Sequence, residues 1–306
     1  MFSDAHCDTI SRIYDNKEGL FSNTGHVDLK RLKAQNSHIQ FFAVWVDPIH
    51  KPMGLLKSLE IIDKFYFEAK SNKLNIIKTA QDVDKGGAVL SIEGGDVLAG
   101  KLCNVRILYT LGVRALTLTW NNRNELGDGA WEGATAGGLS SFGRCVVTEM
   151  ERLGMVVDVS HLSEKGFWDV ASVSKRPFIA SHSNSAKVCP HYRNLTDEQI
   201  IEIIKREGFI GINFCPDFLG KEKVNVDDII RHIDHIMSLG GENVLGFGAD
   251  FDGIDGTPEG ISGVEDMYKV IERLEKSGYS KNQSEKILFK NLNRVLKQVL
   301  NFESSY

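Results

Sequence analysis

The sequence predicts a (β/α)8 barrel, an α/β fold, with one extra helix at the C-terminus. Eight short apolar runs recur along the chain, as is typical of buried parallel strands, and amphipathic helical patterns fill most of the gaps between them. The ends of consecutive runs are 22 to 47 residues apart, a spacing around the length of a β-α-β unit. Repeated alternation of strand and helix favours a closed barrel, and a doubly wound open sheet is the competing architecture.

The predicted strands are runs rich in β-branched and other apolar side chains. In chain order they are residues 2–8, 38–46, 88–93, 113–119, 155–160, 178–182, 209–214 and 244–250. Apolar residues at helical spacing predict helices at residues 55–69, 164–174, 197–206 and 264–276. The clearest helix begins at Val226, carries Asp227 and Asp228 in its first turn, and ends before Gly240.

A further amphipathic segment follows the eighth predicted strand and its helix. Residues 287–300 have helical periodicity, and Ser280 and Gln283 precede them in the spacing of a capping box. We therefore expect an extra C-terminal helix. The chain has six prolines and no Pro- or Ser-rich linker, so residues 1–306 are predicted to form a single domain.

The composition excludes several classes of protein. The 36 basic and 41 acidic side chains give a net charge of −5, so there is no basic surplus to predict nucleic-acid binding. No apolar run approaches the roughly 18 residues that span a membrane, and the N-terminus shows no signal-peptide pattern. The five cysteines are scattered without a CxxC pair. This favours a cytoplasmic location and leaves His and carboxylate side chains as candidate metal ligands.

Side chains that bind metals lie at the C-terminal ends of five predicted strands. They are His6 with Asp8, then Glu93, His161, His182 and Asp250. These strand ends meet at one mouth of a barrel, where active sites form. The convergence predicts a metal site, although each residue alone has a structural alternative, such as a surface acid at a strand end or a polar residue that begins a helix.

Spacing adds weight to the first pair. His6 and Asp8 are two residues apart, so on a strand they share a face, and Cys7 points away as a small buried side chain. The other histidines are predicted to be structural. His232 and His235 flank the apolar stripe of one helix, which indicates a solvated or half-buried face. No metal role is expected for the remaining four, of which the last could border the site: His26, His38, His50 and His191.

Five ordered motifs resemble the membrane (renal-type) dipeptidase family of binuclear zinc peptidases. They are residues 4–9 (DAHCDT), 91–94 (SIEG), 157–161 (VDVSH), 180–183 (ASHS) and 248–253 (GADFDG), and residues 291–295 are similar to the closing helix of the family. The resemblance implies an amidohydrolase-type barrel with two Zn2+ ions. It implies five metal ligands. His6 and Asp8 bind one ion, His161 and His182 bind the other, and Glu93 bridges both.

The resemblance also implies substrate contacts. Arg193, 11 residues after His182, matches an arginine that holds the terminal carboxylate of the substrate. Asp250 matches the proton-transferring acid, with Asp252 as the competing assignment. Trp120 departs from the mammalian members, which have a histidine there that contacts the developing oxyanion. Its indole N–H, or Asn121, is the expected replacement.

The activity implied by the resemblance is hydrolysis of dipeptides by a hydroxide that bridges the two zinc ions, with a D-residue tolerated at the C-terminal position. Family members often form homodimers. One alternative is another binuclear amidohydrolase that acts on cyclic amides, esters or β-lactams. Such enzymes commonly use a carboxylated lysine after the fourth strand, and residues 113–119 contain none. A non-enzymatic alternative is a metal-binding scaffold that has lost catalysis. The departure at Trp120 favours this alternative, whereas the presence of Asp250 and Arg193 argues against it.

Overall fold

The computed structural model describes residues 1–301, except for the side chains of residues 51 and 52. Eight parallel strands form a closed barrel in which each strand pairs with the next in the sequence and the eighth pairs with the first. The predicted barrel is therefore confirmed, and the open sheet is excluded. The strands are β1 Phe2–Asp4, β2 Ser37–Trp45, β3 Gly87–Glu93, β4 Val113–Thr117, β5 Val156–Asp158, β6 Ile179–Ala180, β7 Phe209–Ile212 and β8 Leu245–Phe247.

Helices surround the barrel, and those predicted at residues 55–69, 164–174, 197–206, 226–239 and 264–276 are among them. They are α1 Thr9–Asp15, α2 Leu29–Ala34, α3 Gly54–Ser71, α4 Leu102–Thr110, α5 Ser141–Leu153, α6 Glu164–Val173, α7 Asp197–Lys205, α8 Pro216–Leu219, α9 Val226–Ser238, α10 Met267–Lys276, α11 Lys281–Glu285 and α12 Asn291–Leu300. Short 3-10 turns occur at Pro48–Met53, Ala80–Lys85, Gly95–Leu98, Ala130–Thr135, Gly241–Asn243 and Val264–Asp266. Across the described residues, no helix combines the length and the apolar character that a membrane span requires.

Most strands end earlier than predicted. β1 ends at Asp4 and β8 at Phe247, so His6, Asp8 and Asp250 lie in the loops that follow the strands. The predicted strand does not reach His6 and Asp8, because β1 ends at Asp4 and the chain then turns toward its helix. The two side chains still face the same way, as predicted, with Nε2 of His6 3.2 Å from Oδ2 of Asp8. Cys7 is nevertheless buried and points away from the mouth, where its thiol donates a hydrogen bond to the carbonyl of Phe41.

The C-terminal helix closes the end of the barrel opposite the mouth. Ser280 and Gln283 form the predicted capping box at the start of α11, and a π-helical turn over Lys286–Lys290 leads into α12. Apolar side chains of α12 pack into one buried cluster with residues near the starts of the strands, among them Ile39, Val89 and Val156. The buried apolar cluster closes this end of the barrel. The opposite end, where the carboxyl ends of the strands lie, is polar and open.

One histidine differs from the expectation. His232 is fully buried, because the loop after β6 and the end of α8 cover it. Its Nδ1 accepts a hydrogen bond from the backbone N–H of Ser185 at 3.1 Å, and its Nε2 lies 3.1 Å from the carbonyl of Leu219. His235 is half-buried as predicted and bonds to Asp197. The single-domain assignment stays a prediction, and its last five residues, 302–306, lie outside the described residues.

Candidate metal centre

The five predicted ligand side chains converge at the mouth of the barrel. His6, Asp8 and Glu93 form one group and Glu93, His161 and His182 another, and within each group the ligand atoms lie within 4.8 Å of one another. Glu93 is the carboxylate that these two groups share, and a third group joins His6 and His182 to Asp250 within the same distance. Its Oε1 is 2.8 Å from Nε2 of His161, and its Oε2 is 3.5 Å from Nε2 of His6. All five side chains are buried, so Glu93 is not a surface acid.

The donor atoms fit two metal ions. Imidazole nitrogens and carboxylate oxygens are the ligands of catalytic zinc sites, which hold the metal with three protein ligands. Two of the atoms that face the centre, Nε2 of His182 and Oδ1 of Asp8, are buried and have no hydrogen-bond partner among the described residues. A buried polar atom left in this way costs about 1–3 kcal/mol. Two bound cations, one in each group, would satisfy both atoms.

Backbone strain aims two of the side chains. His161 has a φ of 65° and Asp250 a φ of 63°, in the left-handed region that non-glycine residues rarely adopt. Each residue turns the chain sharply just beyond the end of a strand. Conformations of this kind cost roughly 1–3 kcal/mol and cluster at functional sites. Asp252 has the same conformation, with a φ of 67°, so the strain marks this rim of the barrel but does not distinguish Asp250 from Asp252.

The ligands influence one another electrostatically. Burial lowers the pKa of His161 to about 4 and that of His182 well below its usual value. Both imidazoles are therefore neutral, which is the form that binds metals. Burial opposes the charge of His6, but Glu93 and Asp8 outweigh it and raise the pKa of His6 well above its usual value. The carboxylates thus hold a positive charge at the centre, in the place where a metal cation would bind.

Asp250 faces this centre. Its Oδ2 accepts a hydrogen bond from the side-chain amide of Asn213 at 2.8 Å, and its Oδ1 is 3.7 Å from Nε2 of His6. Burial raises the pKa of Asp250 to about 7, against the opposing charge of His6 and with a further rise from Asp8 and Glu93. A carboxyl group with a pKa near neutrality is suited to proton transfer.

Asp252 is held away from the centre. Its Oδ2 accepts a hydrogen bond from the Thr9 hydroxyl and its Oδ1 one from the backbone N–H of His26, both at 2.6 Å. These contacts tie the loop after β8 to the segment after α1. Of the two competing aspartates, Asp250 is the one whose carboxylate is directed at the ligands.

Arg193 lies beside the ligands on the loop after β6. It is 4% exposed, its guanidinium lies 5.5 Å from the ring centroid of Phe218, and one Nη donates to the carbonyl of His182 at 3.4 Å. The Nε atom is buried and has no partner among the described residues. Arg193 therefore keeps donor capacity for a ligand.

Two cavities share His161 in their walls. The first, of about 220 Å3, reaches Glu93 and Asp250, and the second, of about 240 Å3, reaches Arg193. His191 lines the second cavity, so it borders the site as expected. Small-molecule sites typically occupy about 300–1,000 Å3. The two cavities together offer a ligand of dipeptide size one compartment on each side of His161.

Trp120 and Asn121 play different structural parts. Trp120 lines the first cavity, with its ring centroid 5.4 Å from that of Trp45 and 5.7 Å from that of Trp131. Asn121 instead places its Oδ1 2.7 Å from Nδ1 of His161. Trp120 therefore lies in the cavity wall, whereas Asn121 contacts a candidate metal ligand.

Sequence reasoning missed three residues that support the site. Asn213, just beyond β7, holds the carboxylate of Asp250. Asp158, at the end of β5, and Ser181, just after β6, form a hydrogen-bonded chain that ends on His182. Their positions beside strand ends were the available signal, since every strand end of this barrel points to the same mouth.

The chain is similar to known proteins over its whole length. Residues 1–305 match the family model described as membrane dipeptidase (peptidase family M19). A curated relative, dipeptidase tcpJ of Claviceps purpurea, is 33% identical over 299 residues, which cover 90% of this chain and 69% of the relative.

Two solved structures share the fold closely. A dipeptidase AC, a metallopeptidase of family M19, superimposes with a TM-score of 0.92 at 28% identity, covering 98% of this chain and 99% of the other. A metallopeptidase from Rhodobacter sphaeroides, with a bound phosphinate mimic of the dipeptide L-Ala-D-Ala, gives a TM-score of 0.90 at 28% identity, covering 97% and 99%.

Proposed function

The chain belongs to the membrane dipeptidase family, peptidase family M19, and from this premise we propose that it hydrolyses dipeptides at two zinc ions bound at the mouth of the barrel. The observation that carries the proposal is the position of Glu93. One buried carboxylate is shared by two groups of ligand atoms, each within 4.8 Å. A single carboxylate between two such groups is suited to bridge two cations.

The zinc ligands are assigned to the two groups. His6, Asp8 and Glu93 hold one ion, and Glu93, His161 and His182 hold the other. Three protein ligands to each ion leave coordination positions open for water and substrate. When bound, the ions supply Lewis acidity and lower the pKa of a water between them, so that it can attack a carbonyl as hydroxide near neutral pH.

Arg193 binds the C-terminal carboxylate of the substrate. A planar guanidinium can donate two parallel hydrogen bonds to a carboxylate, and this one lies in the wall of the second cavity with an unpartnered Nε. The C-terminal residue then occupies that cavity. The N-terminal residue extends past His161 into the first cavity, against Trp120, and one residue on each side of the metals makes a dipeptide the fitting substrate.

Asp250 transfers the proton. It accepts a proton from the attacking water and delivers it to the nitrogen of the leaving amine, as general base and then general acid. Asn213 fixes one carboxylate oxygen, which leaves the other directed at the centre. Because one oxygen is held and the other is directed at the centre, Asp250 is preferred to Asp252 as the proton-transferring residue.

We extend the substrate class to dipeptides with a D-residue at the C-terminal position. The Rhodobacter sphaeroides structure, which is 28% identical, binds a mimic of L-Ala-D-Ala, and that finding supports the extension. The homodimer and the cytoplasmic location stay predictions. For a scaffold without catalysis, neither the buried carboxylate of Asp250 directed at the candidate ligands nor the unpaired donor of Arg193 would have a use.

The test is a dipeptide panel that includes L-L and L-D pairs, assayed with chelated protein before and after zinc is added back. We expect no hydrolysis without metal and recovery with zinc. Glu93→Gln should abolish turnover and reduce bound zinc. Glu68→Gln is the matched control, since Glu68 is equally buried but bonds to Leu20 and Lys64 far from the mouth. Full hydrolysis by the chelated protein would contradict metal catalysis.

A further inference from the structure

A chain of hydrogen bonds runs from Asp158 through Ser181 to the ring of His182. We propose that Asp158 and Ser181 are positioning residues that fix the tautomer of His182, so that its Nδ1 carries the proton and its Nε2 presents a bare lone pair to the metal centre. The inference rests on the proposed role of His182 as a zinc ligand.

The argument begins at Asp158, which is 2% exposed. Its Oδ1 accepts from the backbone N–H groups of Ser160 and Ser181, at 3.0 and 2.9 Å. Its Oδ2 accepts from the hydroxyls of Thr117 and Ser181, both at 2.5 Å. A carboxylate only accepts hydrogen bonds, whereas a hydroxyl has a single proton to donate. The proton of the Ser181 hydroxyl is therefore directed at Asp158.

The next step concerns the contact between Ser181 and His182. The hydroxyl oxygen lies 2.8 Å from Nδ1 of the imidazole. Because its proton is already donated to Asp158, the oxygen can only accept here, and Nδ1 must be the donor. A neutral imidazole has one N–H, so Nε2 is left unprotonated. That nitrogen is the buried atom without a partner, 3.7 Å from Oε1 of Glu93.

The rest of the surroundings fix the ring but not its proton. The backbone N–H of His182 donates to the Ser160 hydroxyl at 3.0 Å, and the ring centroid lies 3.9 Å from that of His6 and 4.9 Å from that of His161. His161 has a simpler arrangement, in which the neutral amide of Asn121 meets Nδ1. Hydrogen bonds to a charged acceptor are roughly twice as strong as neutral ones. The charged carboxylate of Asp158 therefore holds the Ser181 proton firmly, which leaves the hydroxyl oxygen as an acceptor for Nδ1 of His182.

The hydrogen-bond relay is the path from Asp158 through Ser181 to Nδ1 of His182. A substitution that reverses the direction of its hydrogen bonds tests whether the relay fixes the tautomer. In Asp158→Asn, the amide N–H can donate to the Ser181 oxygen, which then turns its own proton toward Nδ1 of His182. The imidazole proton moves to Nε2 and blocks the lone pair. Loss of an outer partner typically weakens metal binding about 10- to 100-fold, and we expect the upper part of that range here. Ser181→Ala breaks the relay without reversing it and should cost about 10-fold.

The experiment reads the tautomer directly. The metal-free protein is labelled with 15N-histidine, and the imidazole nitrogen resonances are recorded at about pH 8, where an ordinary histidine is neutral. His182→Gln assigns the signals. We expect the Nδ1–H tautomer in the unaltered protein and the Nε2–H tautomer in Asp158→Asn. An Nε2–H tautomer in the unaltered protein would overturn the proposal.

Zinc dissociation constants, measured by chelator competition, complete the test. Ser181→Thr keeps the hydroxyl and should retain the affinity. Ser58→Ala is the matched control, because this buried hydroxyl bonds to the carbonyl of Leu55 at 2.7 Å within α3, and its affinity should change less than twofold. If the unaltered protein has the expected tautomer but binds zinc weakly, the result counts against the proposed function and leaves the relay intact. Two tightly bound zinc ions in both Asp158→Asn and Ser181→Ala would refute the relay and leave the proposed function intact.

Discussion

Replacement of Arg193 by Ala tests how the substrate is held. The guanidinium is buried, with an unpartnered Nε beside the second cavity, so a bound carboxylate would receive two charge-assisted hydrogen bonds. Each such bond contributes about 1.5–3 kcal/mol, or roughly 3–6 kcal/mol for the pair. At 1.36 kcal/mol for each factor of ten, kcat/KM for a dipeptide should fall by about 10^2 to 10^4, mainly through KM.

The assay pairs the variant with an altered substrate. Steady-state rates are measured for a dipeptide and for the same dipeptide with a C-terminal amide, which lacks the negative charge. The unaltered protein should discriminate against the amide by a factor similar to the loss in Arg193→Ala. The variant should hydrolyse the two substrates at nearly equal kcat/KM, because the group that distinguishes them has been removed.

Bound zinc serves as the control for this comparison. Arg193 also donates to the carbonyl of His182, so the variant must retain two ions per chain for the kinetics to report on the carboxylate. Strong discrimination against the amide that persists in a zinc-replete Arg193→Ala would refute the assignment.

Two further changes test neighbouring parts of the account. Asp250→Asn should retain zinc but lower kcat by about 10^2 to 10^4, the usual contribution of general acid–base catalysis, and an unchanged kcat would exclude proton transfer by Asp250. Burial lowers the pKa of His232 from 6.5 to about 4, so this residue stabilises the fold fully above about pH 6.5 and progressively less as the pH falls to about 4. The difference of 2.5 pKa units corresponds to about 3 kcal/mol. The measurement is urea unfolding of metal-free protein at pH 7 and pH 4. Between these pH values the free energy of unfolding should fall by about 3 kcal/mol more in the unaltered protein than in His232→Asn. An equal fall in both proteins would contradict the assignment.

The sequence predicted the architecture because the barrel repeats one local pattern. Each strand is a short apolar run and each helix an amphipathic one, and these periodicities are visible without tertiary contacts. The rule that strand ends share a mouth then placed Glu93, His161 and His182 together before any distance was known. Local pattern and topology were sufficient to bring the candidate ligands together.

The boundaries of the strands were not predictable from the same pattern. Val157 and Val159 continue the apolar alternation, yet β5 ends at Asp158, and His161 adopts a positive φ. Backbone strain of this kind is imposed by the surrounding structure rather than by local preference. Periodicity therefore extends a strand beyond the point where its pairing stops.

Partners of the site residues were also hidden from the sequence. Asn213 contacts Asp250 across 37 positions of the chain, and Asn121 contacts His161 across 40. A hydrogen bond between two loops depends on the path that each loop takes, which no motif here encodes. His232 shows the same limit, since its burial comes from the distant loop after β6.

The central claim is that Glu93 bridges two metal ions. Zinc content per chain, measured after dialysis against buffered zinc for the unaltered protein, Glu93→Gln and Glu68→Gln, tests it most directly. Because Glu93 belongs to both groups of ligands, we predict two ions in the unaltered protein and in Glu68→Gln, and weakened binding of both ions in Glu93→Gln. Loss of only one ion in Glu93→Gln, or retention of both at unchanged affinity, would contradict the bridge.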